Sequence, residues 1–574
     1  MKILARILIF AALVGSGWSC SDEDLGLNQS NPNGPSTDNY WVDLDRIENT
    51  LTSAYSGMLN HWLMAIQSET LRSDMGYSVT RTTTSGRYFH WYNQTFNNGS
   101  EDLREKWEAY YLVIFRANQV IEALEAIEQT GLDMERWTKQ MAEARFLRGL
   151  MHFYAHSNFN NGNVIIRDFV PKSLSDFHKN VSPSAEVIEF FRADLEYAYE
   201  NLPASNPEAV GAYRASAGAA ATALGTSYLY EGEYNLAIQM FDDVINNADY
   251  GYELIDPFVL FTEEGENSKE SILEINYTTE IQPEDSQWDE TSFNNRLGRF
   301  TSPTGGGIQR FNCASWLVDA YVNEPMNMQD SRNMINGQPR PVSLRTSAMV
   351  AVMQDTVTTY YTKQWTADVR NAFSGNNVGY WKKYTSHDLP IETEDGTGGT
   401  SWKGSRNVIV SRLADVYLMY AEALLQGNGD VSGALSLINE LRDRWALQLL
   451  GPDQGTGDDY DGVTYSVASL MDHLMFIERP LELSAEGHSI RNIDMRRWGI
   501  AEQRFTDLAA EEYYVGSFSY NGTSKKGLLV KGTAPSNEFV IDFEYDQAAL
   551  NYDENLHSYL PIPLEEERNN TALD

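Results

Sequence analysis

The chain has 574 residues, 42% hydrophobic and 22% charged, which is enough apolar material for a packed core and excludes global disorder. Its net charge of −38 repels nucleic-acid phosphates and anionic lipid headgroups, so no nucleic-acid partner is expected; a neutral or cationic ligand, or plain solubility, fits that charge. With only two cysteines, Cys20 and Cys313, no disulfide framework is available, and Cys313, in an apolar and aromatic stretch, is expected to be a buried free thiol.

In chain order, Lys2 and Arg6 bracket the start of an apolar run at 7–14, followed by small residues and Cys20. This is the pattern of a signal peptide over 1–19, too short to cross a bilayer. A cysteine directly after such a run is the acceptor for a lipid anchor, whose chains hold a protein at a membrane through about 0.8 kcal/mol per buried CH2. The alternative is an ordinary secretory signal cut nearby. Residues 20–39, acidic at Asp22, Glu23 and Asp24 and then rich in Asn, Pro, Gly and Ser, read as a flexible tether.

Apolar residues at helical spacing follow. Ile47, Leu51, Tyr55, Met58 and Trp62 predict a first helix, and Leu103, Trp107, Tyr110, Ile114, Ala117, Ile121 and Leu124 a long second one. A third runs over 141–154 after the Gly131 break, and a fourth over 184–202, with Ser184 as its cap and Leu202-Pro203 as its stop. Leu224, Gly225, Tyr228, Gly232, Tyr234, Ala237 and Phe241 fall on the tetratricopeptide spacing, in which small residues let two helices approach and large ones fill the space beside them. A weaker echo lies at 413–445, around Gly429 and Ala434. Since one such pair cannot bury its apolar faces alone, pairs at 101–157, 184–247, 411–446 and 468–498 are expected to stack. The segment 250–410, rich in Gly, Ser, Thr, Asn and aromatics, reads as long loops with short strands. Near the end, Phe539, Ile541, Phe543 and Tyr545 alternate as a strand, and Asn521-Gly522 marks a hairpin turn. The expected fold is mainly α, one domain over 40–574: a helical scaffold at about 40–250 and 411–500, a loop-rich ligand-binding region at about 250–410, and a C-terminal segment, 501–574.

Several stretches carry a family resemblance. The run 412–424, from Arg412-Leu413-Ala414-Asp415 to Tyr420-Ala421-Glu422-Ala423-Leu424, resembles a helix that recurs in SusD/RagB proteins. So do Ile477-Glu478-Arg479-Pro480-Leu481-Glu482-Leu483, Glu486-Gly487-His488 and Asp494-Met495-Arg496-Arg497-Trp498-Gly499. Glu143-Ala144-Arg145-Phe146-Leu147-Arg148-Gly149 and the closing Tyr559-Leu560-Pro561-Ile562-Pro563 are similar to that family as well. Two departures are Pro480, where the family continues a helix, and Asn569-Asn570, where it often has Asn-Pro. The resemblance implies four tetratricopeptide-like pairs, an irregular remainder that carries the ligand site, and no catalysis. It also implies an outer-membrane lipoprotein on the extracellular face that acts as a lid on a SusC-like TonB-dependent transporter and captures oligo- or polysaccharide. The RagB side of the family implies peptide capture instead.

Glu478, Glu482 and Glu486 sit four apart beside Arg479, Arg491, Arg496 and Arg497. A hydrolase would need two carboxylates facing each other across a cleft, whereas this spacing favours an internal ion-pair network. His152 and His156 share a helix face but lack the H-E-x-x-H pattern and read as packing residues. The loop 453–461 holds four aspartates without EF-hand order, so no cofactor is expected, with a structural calcium ion as the alternative there. The candidate ligand-binding residues are aromatics mixed with polar groups, because sugar C–H faces pack on rings while amides and charges bond hydroxyls. One group is Tyr88, Trp91 and Tyr92 with Asp74, Arg81 and Asn93; a second is Trp288, Arg296 and Phe311, with Phe300 nearby.

Overall fold

A computed structural model describes residues 40–77, 88–206, 210–280, 293–302, 312–364, 378–390, 404–520, 523–532, 539–540 and 545–573. Cys20, the tether and the segments between these ranges lie outside the described residues.

Eight long helices form the scaffold: α1 (Leu44–Ser56), α2 (Glu101–Ala126), α3 (Met134–Asn158), α4 (Ser184–Asn201), α5 (Ala217–Tyr230), α6 (Tyr234–Asn246), α7 (Leu413–Asn428) and α8 (Val431–Arg444). Local chemistry sets their ends. Asp43 accepts the Arg46 amide at 2.8 Å and Asp133 the Arg136 amide at 3.1 Å, capping α1 and α3. Gly429, at φ 66°, takes the left-handed position that closes α7. The expected cap at Ser184 is not one: α4 begins at that residue, and its Oγ lies 2.8 Å from His156 Nε2.

The hydrophobic pattern decides how they stack. α3 is buried on nearly every face from Gln140 to Asn158, as a helix lying between layers must be. It packs against α1 and α2 on one side and α4 on the other, and Arg145 and Arg148 each reach Asp194 of α4 at 2.7 Å. α5 and α6 form the pair marked by the tetratricopeptide spacing. A Cβ on Gly225 would fall 2.6 Å from the Phe241 ring, so glycine is what lets the two helices approach. α7 packs on α6 and on α8, continuing the stack.

The fourth expected pair is broken into short pieces. Val467–His473 runs through a π-helical turn, Leu474–Glu478, into the single turn Arg479–Glu482. Pro480 sits at the start of that turn, and the wider π turn before it accommodates the missing N–H. The helix ends there, so Glu486 does not share a helix face with Glu478 and Glu482.

Strand β1 (Ser271–Ile275) pairs antiparallel with β2 (Val408–Arg412), which leads directly into α7. The loop-rich region therefore leaves and rejoins the scaffold at one place. Its described residues hold short strands and the short helices Leu297–Thr301, Ser315–Val322 and Leu344–Met349. Near the C-terminus, β3 (Tyr513–Tyr520) and β4 (Thr523–Lys531) pair antiparallel, with Tyr520 opposite Thr523. Phe539–Val540 adds to that sheet, but Tyr545 has left it: its ring is buried near Tyr92 and Phe505.

A buried ionic network ties the loop-rich region to the last helices. Glu478 binds Arg442 at 2.7 Å and also Arg345. Glu482 binds Arg412 at 2.8 Å and Arg444 at 2.7 Å; Glu486 binds Arg412 at 2.7 Å and also Lys383. The network is internal, as expected, but its cations come from distant segments. Arg479 and Arg497 serve Asp415, Asp494 and Glu422 instead.

Candidate functional site

After α1 the chain makes a 3₁₀ turn (Gly57–Leu59) and restarts as a helix at His61. Asn60 causes the restart, because its side-chain oxygen accepts the Trp62 amide at 3.0 Å. The new helix lasts one turn, and Ala65 then takes a left-handed conformation, φ 48°, before Ile66–Arg72 begins. A side-chain-bearing residue in that region costs about 1–3 kcal/mol and persists only where its surroundings dictate it.

Against this double turn lies a narrow pocket, whose empty space counted together with the solvent at its mouth is about 600 Å³. Its other walls are Tyr88, Tyr277 and the segment 294–300. Tyr277 is fixed from both ends: its amide donates to Asn407 Oδ1 at 3.1 Å and its hydroxyl to the Leu59 carbonyl at 3.3 Å. Asn295 holds the opposite wall. Its side-chain amide donates to the Arg406 carbonyl at 2.6 Å, its oxygen accepts the Leu297 amide at 2.8 Å, and its backbone N–H donates to Gly404 at 2.8 Å. Tyr88 and Phe300 meet edge to face, ring centres 6.3 Å apart.

The lining has a definite chemistry. The rings of Trp62, Tyr88, Tyr277 and Phe300 and the imidazole of His61 alternate with the amides of Asn60, Gln67, Asn294 and Asn295 and the guanidinium of Arg296. No Asp or Glu occurs among the described lining residues. The Gln67 amide nitrogen is buried with no hydrogen-bond partner among the described residues, which leaves a donor at the cavity wall. Burial raises the Tyr277 hydroxyl pKa far above its ordinary value, so it stays a neutral donor. The arrangement can stack on apolar faces and hydrogen-bond hydroxyl groups, and the described walls offer no carboxylate for acid–base work.

Of the residues the sequence nominated, Tyr88 and Arg296 line this cavity. Trp91 does not. It is 2% exposed, its ring stacks on Phe96 at 4.8 Å, and its Nε1 donates to Asp102 at 3.2 Å. Tyr92 and Asn93 are equally interior, with the Asn93 carbonyl accepting from Asn551 at 2.9 Å. Asp74 is wholly buried and bridges Arg491, at 2.7 Å, and Arg504, at 2.8 Å. Burial would raise its carboxyl, but the two guanidiniums prevail and hold it at about 2. These four side chains build the core behind the cavity rather than its wall, because a polar-aromatic stretch in sequence does not reveal which way its rings turn. Arg81, Trp288 and Phe311 lie outside the described residues.

Trp62, Asn60, Gln67 and Asn294 escaped notice in the sequence. Trp62 fits the apolar spacing of the first helix, and only Asn60, a capping residue two positions earlier, signals the break. The other candidates have structural duties. His152 Nδ1 lies 2.8 Å from the Arg148 carbonyl. In the loop 453–461, Asp453 and Asp461 accept backbone amides at 2.7 and 2.9 Å, and Asp458 accepts the Thr456 hydroxyl at 2.7 Å. No cluster of three or more His, Cys, Asp or Glu positioned for a metal occurs among the described residues. Cys313 is a buried free thiol.

A family model described as SusD family matches residues 259–574, and one described as "Starch-binding associating with outer membrane" matches 28–229. A SusD-like protein of Bacteroides ovatus is 27% identical over 364 residues, 60% of this chain and 59% of that protein, so the match spans less than two thirds of the relative. The crystal structure of a SusD superfamily protein from Bacteroides vulgatus superposes with a TM-score of 0.70 at 21% identity, covering 93% of this chain and 99% of that one. A laminarin-binding SusD-like protein gives 0.66 at 20% identity, covering 92% and 98%. With more than half of its length matched by the family's model, the chain belongs to the SusD family.

Proposed function

We propose that this protein is a cell-surface lipoprotein that captures oligo- or polysaccharide in the cavity between the 60–68 double turn and the 294–300 segment. It delivers the glycan to a SusC-like TonB-dependent transporter in the outer membrane, to which Cys20 anchors it. The observation that carries the reading is the cavity lining: the rings of Trp62, Tyr88, Tyr277 and Phe300, the imidazole of His61, four side-chain amides and one arginine, with no carboxylate among the described residues. Rings take the C–H faces of sugars, and amides and guanidinium take the hydroxyls. Such binding requires neither cofactor nor covalent step. The relatives support it, since one protein of similar structure is a laminarin-binding SusD-like protein and one matching family is described as starch-binding and associating with the outer membrane.

Calorimetric screening of the purified protein against a panel of neutral oligosaccharides tests the reading, with Arg296→Ala as the matched variant. The glycan that binds wild type should bind R296A roughly 10- to 100-fold more weakly, the worth of a hydrogen bond to a charged donor. If no glycan in the panel binds and peptides do, the protein is a peptide-capturing member of the family.

A further inference from the structure

A second cleft lies on the helical scaffold, with about 1100 Å³ of space open to solvent. It sits where the N-terminus of α5, the segment following α6 and the start of β1 converge. None of its lining residues belongs to the cavity described above.

Its construction is specific. Tyr250 and Tyr252 stand on either side of Gly251, at φ 69°, and their ring centres are 5.9 Å apart. The Tyr250 hydroxyl is committed to Asp243 at 2.7 Å, and that ring is buried in the wall. Tyr252 is half-buried over α5, where a Cβ on Gly218 would come within 2.6 Å of its ring, and its hydroxyl lies 3.2 Å from Ser216 Oγ. Asn206 uses its amide nitrogen to hold the Arg214 and Ala215 carbonyls, at 2.8 and 3.3 Å. Its side-chain oxygen is buried with no partner among the described residues, and so is the Ser268 hydroxyl. Buried polar atoms are seldom left unpaired, so a site that contains two of them calls for a complementary group. The one charged lining residue, Lys269, is paired with Glu253 at 2.9 Å, which leaves the cleft without a free charge among its described residues.

We propose that this cleft is a second glycan-binding site, which takes one neutral sugar residue against Tyr252 with hydroxyls on Asn206 Oδ1 and Ser268 Oγ. The inference rests on the glycan-binding reading given above and deepens it. Two sites on one chain make the second contact with a long polysaccharide intramolecular, so the polymer is retained more strongly than any short oligosaccharide.

Saturation-transfer NMR of the purified protein with glucose, galactose, mannose and xylose as separate probes tests this. Ser205 is exposed on the rim, so Ser205→Trp plugs the cleft without entering the core, and Ser268→Ala removes one hydroxyl. At least one of the four sugars should retain a signal in R296A and lose it in the double variant R296A/S205W. S268A should weaken that residual signal roughly 2- to 10-fold, the worth of one hydrogen bond. If R296A alone removes all signal, or if S205W changes nothing while its unfolding midpoint matches wild type, the second site is overturned and the first stands. If R296A changes nothing and S205W abolishes all signal, the first site fails and the second stands. A wild-type protein that binds none of the four sugars also overturns the second site, while oligosaccharide calorimetry decides the first independently.

Discussion

Trp91 turns its ring away from solvent because its indole N–H finds the buried Asp102 carboxylate and its face finds Phe96, with Arg72 5.9 Å above the latter ring. Trp91→Ala should therefore destabilise the fold by about 3–5 kcal/mol, the cost of emptying a large aromatic site. Urea unfolding checks this, and an unchanged midpoint would place the ring outside the core. Arg296 lines the cavity with a side chain that is itself buried, 4% exposed, so R296A should lower stability by about 0.5–3 kcal/mol, as buried substitutions do, and weaken ligand affinity as well. Glu69, next in sequence to the cavity residue Ser68, and its partner Lys106 show why a neighbour in sequence need not be part of the wall. They bind each other at 2.6 Å within the core, and Arg72 and Lys106 overcome the effect of burial to hold the Glu69 carboxyl at about 2.

At the scale of elements, the crossing of α5 and α6 depends on one missing side chain. Gly225→Leu would drive a branched side chain into Phe241 and Met240, overpacking the crossing at a cost of about 1–3 kcal/mol or more. Thermal unfolding of the variant should show a lowered midpoint, whereas an unchanged one would mean that the helices meet elsewhere. This crossing was legible in the sequence because its residues recur at fixed offsets: Gly225 opposite Phe241, with Gly232, at φ 74°, in the turn between them. The long amphipathic runs of α2 and α3 were legible for the same reason, since periodicity is local; the turn residues Asn521 and Gly522 lie outside the described residues. The cavity was legible in part. Tyr88 and Arg296 stood out as rings and charges in polar surroundings, but Trp62 did not, because it keeps the apolar spacing of α1 across a break that only Asn60 announces. The cations of the Glu478, Glu482 and Glu486 network were not legible either, since Arg345, Arg412, Arg442 and Arg444 approach from segments far away in sequence.

For the whole molecule, buried ionisable groups set how the fold responds to acid. Burial lowers His152, His156 and His387 to about 4, so the unfolded chain takes up their protons first and stability falls as pH drops from about 6.5 to 4. Glu266 opposes this, because burial raises it to about 7 and the folded state binds its proton between pH 7 and 4.5. Asp74, Glu69 and Glu482 are held at about 2 by their cations against burial, and the stability they contribute, on the order of 2 kcal/mol each, is lost as pH falls from about 4.5 to 2. Urea titrations at stepped pH should thus show a monotonic loss of stability below about pH 4.5, and a gain in that range would contradict the ion-pair assignment. Membrane attachment should depend on one atom: Cys20→Ala should move the protein out of the outer-membrane fraction of cells lacking the transporter while its unfolding curve stays unchanged. Retention in that fraction would rule out the lipid anchor. The glycan-capture reading meets its most direct test in a crystal structure with the oligosaccharide selected by calorimetry. A sugar ring is expected against Phe300 or Tyr88, with its hydroxyls within hydrogen-bond distance of Arg296, Asn294 or Gln67. A bound glycan that leaves this cavity empty would contradict the assignment.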